Sequence, residues 1–160
     1  MNDLTHLNDA GEAHMVDVGE KDSTKRSARA SAVIQMRPET VQAIEADQIA
    51  KGNVLQVARI AGIMAAKQTS NLIPLCHPVG LDTVVVKFTL DENSVYVEAT
   101  AAVHGKTGVE MEALTAVSVA GLTIYDMCKA IDRGMRITSV QLEEKSGGKS
   151  GSFVRKDQAS

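Results

Sequence analysis

Tryptophan is absent from this 160-residue chain, and aromatic residues make up only 2% of it. Single-stranded nucleic acids are held largely by stacking bases on aromatic faces, so that mode of binding has little to work with here. Positive charge is not in excess either. The formal net charge is -3, whereas a general nucleic-acid binder carries a basic surplus. A local cationic pocket for a phosphorylated small molecule stays open. No apolar run approaches the ~18 residues that cross a bilayer. The opening MNDLTHLNDAGEAH is acidic and polar where a secretory leader is basic and then apolar. A cytoplasmic protein that binds neither nucleic acid nor membrane is expected. Cysteine is scarce: Cys76 and Cys128 lack C-x-x-C spacing and a nearby second histidine. Free thiols are expected, and the four clustered ligands of a zinc site are not in view.

What is there is ordinary globular material, 44% hydrophobic and 23% charged, enough for one domain with its own core. In STKRSARASAVIQM, the small or apolar Ala28, Ala30, Ala32, Ile34 and Met36 alternate with more polar neighbours, the period of a strand. RPETVQAIEADQIA follows, with Pro38 and Glu39 suited to a first helical turn. Asn53 reads as the N-cap of a second helix, in which Val54, Val57, Ala58, Ala61, Met64 and Ala65 recur at helical spacing. LDTVVVKFTL and VYVEATAAV flank the polar DENS as a β-hairpin. HGKTG opens a long helix, VEMEALTAVSVAGLTIYDMCKAID, and MRITSVQLEE reads as a last strand. The order strand, helices, strand, strand, helix, strand predicts an α+β, ferredoxin-like (split βαβ) fold, with helices packed on one face of an antiparallel sheet. One domain over 1–160 is expected, with a flexible N-terminal segment of about 1–14 and a flexible Gly/Ser/Lys tail of about 145–160.

The long helix is informative. Leu114, Val117, Ser118, Gly121, Ile124, Tyr125 and Cys128 form one small-or-apolar stripe, yet Val119 and Leu122 stand on the opposite side. A helix apolar nearly all round is buried nearly all round, so a second subunit is expected to cover it. On the same helix, Glu112 and Asp126 share a face within ~40° but lie ~21 Å apart along the axis. Two carboxylates so separated cannot act together on one small molecule: each serves its own site, a symmetric partner brings one beside the other, or one is a solvated helix residue. Asp126 and Lys129, at i and i+3, can meet; an ordinary helix ion pair competes with a proton-transfer pair. HGKTG offers a helix N-terminus to an anion, although Thr100 stands where a Walker A loop needs its first glycine. In NLIPLCHPVG, Pro74 and Pro78 hold Cys76 and His77 in an extended loop. Sequence neighbours on extended backbone point to opposite sides, which disfavours a thiol–imidazole catalytic pair and leaves a ligand-lining wall.

Six stretches taken together, LTHLNDAGEAHMVDV, ARIAGIMAAK, LIPLCHP, GKTGVEMEALTA, LTIYDMCKA and KSGGKSG, resemble the cyclic pyranopterin monophosphate synthase (MoaC) family of molybdenum cofactor biosynthesis. The resemblance runs from about Leu4 to Gly151. It implies a phosphorus–oxygen lyase that converts 3′,8-cyclo-7,8-dihydroguanosine 5′-triphosphate to cyclic pyranopterin monophosphate with loss of pyrophosphate. It also implies a homohexamer, a trimer of dimers, with the site at a dimer interface. On the family's motifs, Leu75, Cys76, His77, Met111 and Glu112 contact substrate, and Asp126 falls on the catalytic acid/base position. Lys51 and Lys129 match lysines of proton transfer; Lys67, Glu110 and Lys145 match further pocket positions. No metal is demanded by these residues, although Mg²⁺ could accompany the triphosphate. The competing reading is a non-catalytic ferredoxin-like regulatory module that binds a nucleotide or metabolite at a subunit interface. It has no use for a set such as Lys51, Asp126 and Lys129.

Overall fold

The computed structural model describes residues 6–156. Residues 1–5 and 157–160, which include the ends of both expected flexible segments and the first residues of the LTHLN motif, lie outside that description. The elements run β1 (Thr24–Gln35), α1 (Pro38–Glu45), α2 (Val54–Lys67), α3 (Thr69–Leu72), β2 (Thr83–Asp91), β3 (Ser94–Gly105), α4 (Glu110–Cys128), β4 (Arg136–Ser146) and β5 (Phe153–Val154). The sheet has the order β2-β3-β1-β4-β5, and each neighbouring pair is antiparallel. This is the expected α+β arrangement, with α2 and α4 on one face. Among the described residues no helix is long and apolar enough to cross a membrane.

The strand alternation sets which face is covered. Ala28, Ala30, Ala32 and Ile34 of β1 are fully buried, as are Val95, Val97, Ala99 and Ala101 of β3. Their partners in register, such as Ala30 with Ala99 and Ala32 with Val97, pack side by side toward the helices. The other face is polar: Arg29 pairs with Glu98 at 2.9 Å and with Glu144 at 3.2 Å. Alternation of this kind lets one face stay wet while the other carries the core.

The buried surface of α4 differs from the expected stripe. Ala113, Ala116, Val117, Ala120, Gly121, Ile124, Met127 and Cys128 are buried, whereas Leu114, Ser118 and Tyr125 are only half-buried on its flank. The reason is that α4 is covered twice within the chain, by the sheet and by α2. A Cβ added at Gly62 of α2 would sit 3.1 Å from the Ala116 carbonyl oxygen and 3.5 Å from the Ala120 Cβ, so the two helices touch nearly backbone to backbone. A Cβ on Gly121 would meet Ile137 and Ile34 at 3.4–3.5 Å on the sheet side. That cover stops short of the opposite side, where Leu122 stays 57% exposed, so the surface on which a second subunit is expected is left open within the chain. The α2 periodicity is corrected too: Val54, Ala58, Gly62, Ala65 and Ala66 are buried, while Val57 and Met64 point outward beside Ile60. Small residues, rather than the largest apolar ones, mark the contact stripe, because they let the helices approach.

Local signals position the connecting loops. Asn53 caps α2 by accepting the Gln56 N–H at 2.9 Å. Helix α1 ends in a Schellman turn: Asp47 takes a left-handed φ of 54°, and the Gln48 N–H reaches the Ala43 carbonyl at 2.9 Å. Gly52 follows at φ 107°, a conformation that a side chain would strain. Lys51 is carried between these two turns. After α4, the buried Asp132 carboxylate accepts the Arg37 N–H at 2.9 Å, the Thr40 hydroxyl at 3.0 Å and the Gly134 N–H at 3.2 Å. Burial alone would raise its pKa, but these donors and the Arg37 charge hold it below the ordinary carboxylate value.

Replacing Gly62 by leucine should force α2 away from α4. The expected cost is ~1–3 kcal/mol, the range for overpacking a tight core contact. A urea midpoint unchanged from wild type would show that the close approach is not a stability constraint.

Candidate active site

Helix α4 holds a cluster of functional side chains at each end. At its C-terminal end Asp126 lies between two lysines. Lys129 Nζ is 2.8 Å from Asp126 Oδ1, and Lys51 Nζ is 2.9 Å from Oδ2. Lys51 also donates to the Asp126 backbone carbonyl at 2.9 Å. An ammonium at the last turn meets the negative end of the helix dipole, which favours this placement. Hydrogen bonds and charge from Lys129 and Lys51 hold the Asp126 carboxyl at about 2, against an ordinary 3.8. At neutral pH it is an anion that accepts from both lysines. All three side chains are about half exposed. A neighbouring apolar cleft of about 260 Å³ includes Ile49, Lys51 and Cys128 in its lining. Burial, with Asp132 nearby, pushes the Cys128 thiol up to about 11, which makes it inert packing.

The second cluster gathers at the N-terminal end. Leu75, Cys76 and His77 from the Pro-bounded loop face Glu110, Met111 and Glu112 of α4 across a cleft of about 140 Å³, with Thr107 and Gly108 completing it. Glu112 is only 4% exposed. Burial pushes its carboxyl up, its own backbone N–H opposes that, and Glu110 adds to the rise. The Cys76 thiol is likewise raised, by burial and then by Glu112, so it is not a ready thiolate. Lys145 of β4 pairs with Glu110 at 2.9 Å and donates to Ser150 at 2.7 Å.

The N-terminus of α4 is thus not an open anion site. Glu110 and Glu112 occupy its first turn, and the Glu110 carboxylate folds over the space where Gly108 lacks a side chain. Negative side chains satisfy the positive end of the dipole themselves. Cationic surface is found one step away instead. A second cleft of about 120 Å³ shares Gly108 and Glu110 and adds Arg26, Lys145 and Gly147. A third, of about 430 Å³, shares Arg26 and Ser150 and adds Lys21, Thr24 and Lys149. Among the described residues the buried Thr24 hydroxyl has no hydrogen-bond partner.

The tail reaches this place because Gly147, at φ 93°, and Gly148 leave no side chain where Lys25 and Arg26 lie. Phe153 and Val154 then pair with Lys145 and Glu144. Arg26 and Lys21 were not singled out by sequence reasoning. Arg26 read as a polar neighbour in an alternating strand, and only its register beside the tail gives it a cleft to line.

The residues expected in one site therefore fall into two groups. Lys51, Asp126 and Lys129 meet at one end of α4; Leu75, Cys76, His77, Glu110, Met111, Glu112 and Lys145 meet at the other. Because Lys51, just before α2, bonds the C-terminal end of α4, α2 and α4 run antiparallel. Lys67 at the end of α2 falls toward the Glu112 end, with its side chain exposed.

The chain matches the MoaC family over residues 15–148. It is 61% identical over 156 residues, 96% of this chain and 99% of the relative, to the cyclic pyranopterin monophosphate synthase of Roseiflexus sp. (strain RS-1). It is 54% identical to the protein of that name from Peptoclostridium acidaminophilum, over 96% of this chain and 98% of the relative. For the one from Rhodospirillum rubrum the identity is 56%, over 94% and 92%.

The Asp126 carboxyl should titrate near 2 by carbon-detected NMR, and Lys51→Met with Lys129→Met should return it toward 3.8. Its folded-state value is depressed, so its ionised form stabilises the native state above pH ~4, and that contribution is lost as pH falls toward 2. A wild-type midpoint at the ordinary value would remove the two-lysine clamp.

Proposed function

The chain belongs to the MoaC family, and from that membership we propose that it converts 3′,8-cyclo-7,8-dihydroguanosine 5′-triphosphate to cyclic pyranopterin monophosphate with release of pyrophosphate. This is a step of molybdenum cofactor biosynthesis. The observation that carries the reading is the pairing of two incomplete half-sites on one helix, acceptors and a ring-sized wall at one end, a lysine–carboxylate–lysine triad at the other. They stand ~21 Å apart along the axis, too far to share one substrate within a chain.

A second copy resolves this by placing the Lys51–Asp126–Lys129 cluster of one subunit over the Glu112 cleft of another. The uncovered apolar face of Val57, Ile60 and Met64 with Leu122 supports association, since such a face is costly to leave in water. A homohexamer built as a trimer of dimers, in the cytoplasm, is the assembly the family resemblance favours.

In the assembled site the groups divide the work. Glu112 accepts from adjacent N–H donors of the guanine-derived ring, and that pairing favours its ionised form against the burial that opposes it. Leu75, Met111 and the flank of Cys76 form the apolar wall, and His77 supplies a polar contact. Lys51 and Lys129 move protons during ring opening and reclosure: each ammonium is an acid, and an amine that has given up its proton is a base. Asp126 stays ionised and positions both amines. Formation of the cyclic phosphate joins a substrate oxygen to the α-phosphorus and breaks that phosphorus's bond to the pyrophosphate oxygen. The charge that builds on the leaving group needs cations, which Lys67, Lys145 and the Arg26–Lys21 clefts can provide. Mg²⁺ is expected only as a companion of the triphosphate.

Supplying the cyclised triphosphate to purified protein should yield both pterin product and pyrophosphate; binding without either product would favour a non-catalytic nucleotide module. Lys129→Ala should lower turnover by ~100-fold or more, the scale of losing an acid–base group, in a chain that still folds. An inactive Glu112→Ala chain mixed with an inactive Asp126→Ala chain should recover partial activity. No recovery in verified mixed oligomers would place each site within one subunit.

A further inference from the structure

Residues 14–23 form an irregular strap along the Glu112 end of the molecule. Val16 and Val18 are half-buried, while Met15, Asp17 and Gly19 face outward. Asp17 Oδ1 accepts the Gly19 N–H at 2.8 Å, and the Lys21 N–H reaches the Val18 carbonyl at 3.1 Å, which turns the strap back toward β1. Three contacts tie it to the body. The Lys106 ammonium donates to the Gly19 carbonyl at 2.7 Å. Ser23 Oγ lies 2.9 Å from His104 Nδ1. His77 Nε2 lies 2.6 Å from the Val16 carbonyl oxygen. The first two anchor the strap; the third touches a residue of the cleft. Val18 and His77 also share the lining of an adjoining cleft of about 290 Å³, with Lys106.

A carbonyl oxygen only accepts hydrogen bonds, so the His77 nitrogen beside it must carry a hydrogen. In the neutral imidazole, the other nitrogen, Nδ1, is then left as an acceptor. Among the described residues Nδ1 has no hydrogen-bond partner, and the ring lines the same cleft as Met111 and Glu112. With the ring held this way, the wall offers two acceptors, Nδ1 and the Glu112 carboxylate. The opposite tautomer would turn a donor toward the cleft and leave the Val16 carbonyl facing a lone pair.

We propose that the strap is a positioning element: the Val16 carbonyl, held in place by Lys106 and Ser23, fixes His77 as the Nε2–H tautomer so that Nδ1 selects N–H or O–H donors of the ligand. This deepens the function proposed above and rests on it for the ligand, a heterocycle rich in hydrogen-bond donors. The tautomer itself does not rest on it. The strap carries no group that reacts, and its effect on binding passes through His77.

Three measurements on the full-length chain test this. Long-range ¹⁵N–¹H spectra of the four histidines, with His77 assigned by its loss in His77→Gln, should show the Nε2–H pattern without substrate. An Nδ1–H pattern overturns the proposal. For turnover, the amide oxygen of His77→Asn can accept where Nδ1 stood, whereas the amide of His77→Gln reaches only the Nε2 position and keeps the Val16 contact alone. The Gln variant should raise KM about tenfold more than the Asn variant, the scale of one lost buried hydrogen bond; equal increases count against the idea. Lys106→Met combined with Ser23→Ala should raise KM about tenfold in the wild-type background and leave it unchanged on top of His77→Ala, because coupled residues are non-additive. The same increase in both backgrounds would make the strap merely structural. Absence of any wild-type turnover would sink the proposed function, while the substrate-free spectra would still decide the strap.

Discussion

The close approach of α2 to α4 is the constraint on which the rest depends. Gly62 lies against Ala116 and Ala120, and Gly121 admits Ile34 and Ile137 from the sheet side. Small residues on both surfaces of α4 let it sit between a helix and a sheet without a gap. Dispersion and burial then hold it rigidly, because close-packed interiors resist adjustment by even one methylene. A helix fixed on two sides makes a reliable beam. Its ends, rather than its middle, carry the polar chemistry.

Those ends are electrically opposite, and each is dressed against its own dipole. Glu110 and Glu112 stand at the positive end; Lys51 and Lys129 surround the negative end with Asp126 between them. The surroundings then separate the carboxylates. Glu112 is buried and pushed up, while Asp126 is exposed and held down by two ammoniums. Two acids on one helix therefore have different work available to them: one can take on or release charge as a ligand pairs with it, the other stays an anion that orders its neighbours. Around the Glu112 end, loops converge from distant parts of the chain. The strap, the Pro-bounded loop and the Gly-rich tail all reach it, and each brings backbone or cationic groups that no single segment could supply.

Much of this was legible beforehand. The alternation through Ala28, Ala30, Ala32 and Ile34, the Asn53 cap and the hairpin around DENS each rest on short-range rules, and the element order they produce matches the observed one as far as β4; β4 runs on to Ser146 and β5 forms at Phe153–Val154, within the tail expected to be flexible. The Asp126–Lys129 contact was legible for the same reason, since i,i+3 neighbours on a helix must lie close. What misled was residue size. Val57 and Met64 fit the α2 periodicity but point outward, whereas Gly62 lies in the tightest contact. A hydrophobicity pattern counts glycine as nothing, yet it permits the approach that buries everything beside it. Arg26 was missed because nothing local distinguishes a strand arginine that lines a cleft from one that meets solvent.

The sequence by itself determined the main secondary-structure elements, the fold class and the separation of Glu112 from Asp126 along α4, because helical rise and side-chain periodicity are local geometry. Only the tertiary structure decided that α2 packs against the Ala116–Ala120 flank of α4 while Leu122 stays exposed. It also decided that Lys51 joins Asp126 from a turn 75 residues away in the chain, and that Val16 presents its carbonyl to His77. Such contacts depend on where loops return after the core has closed, and that is set by packing between elements, which no short stretch of sequence encodes.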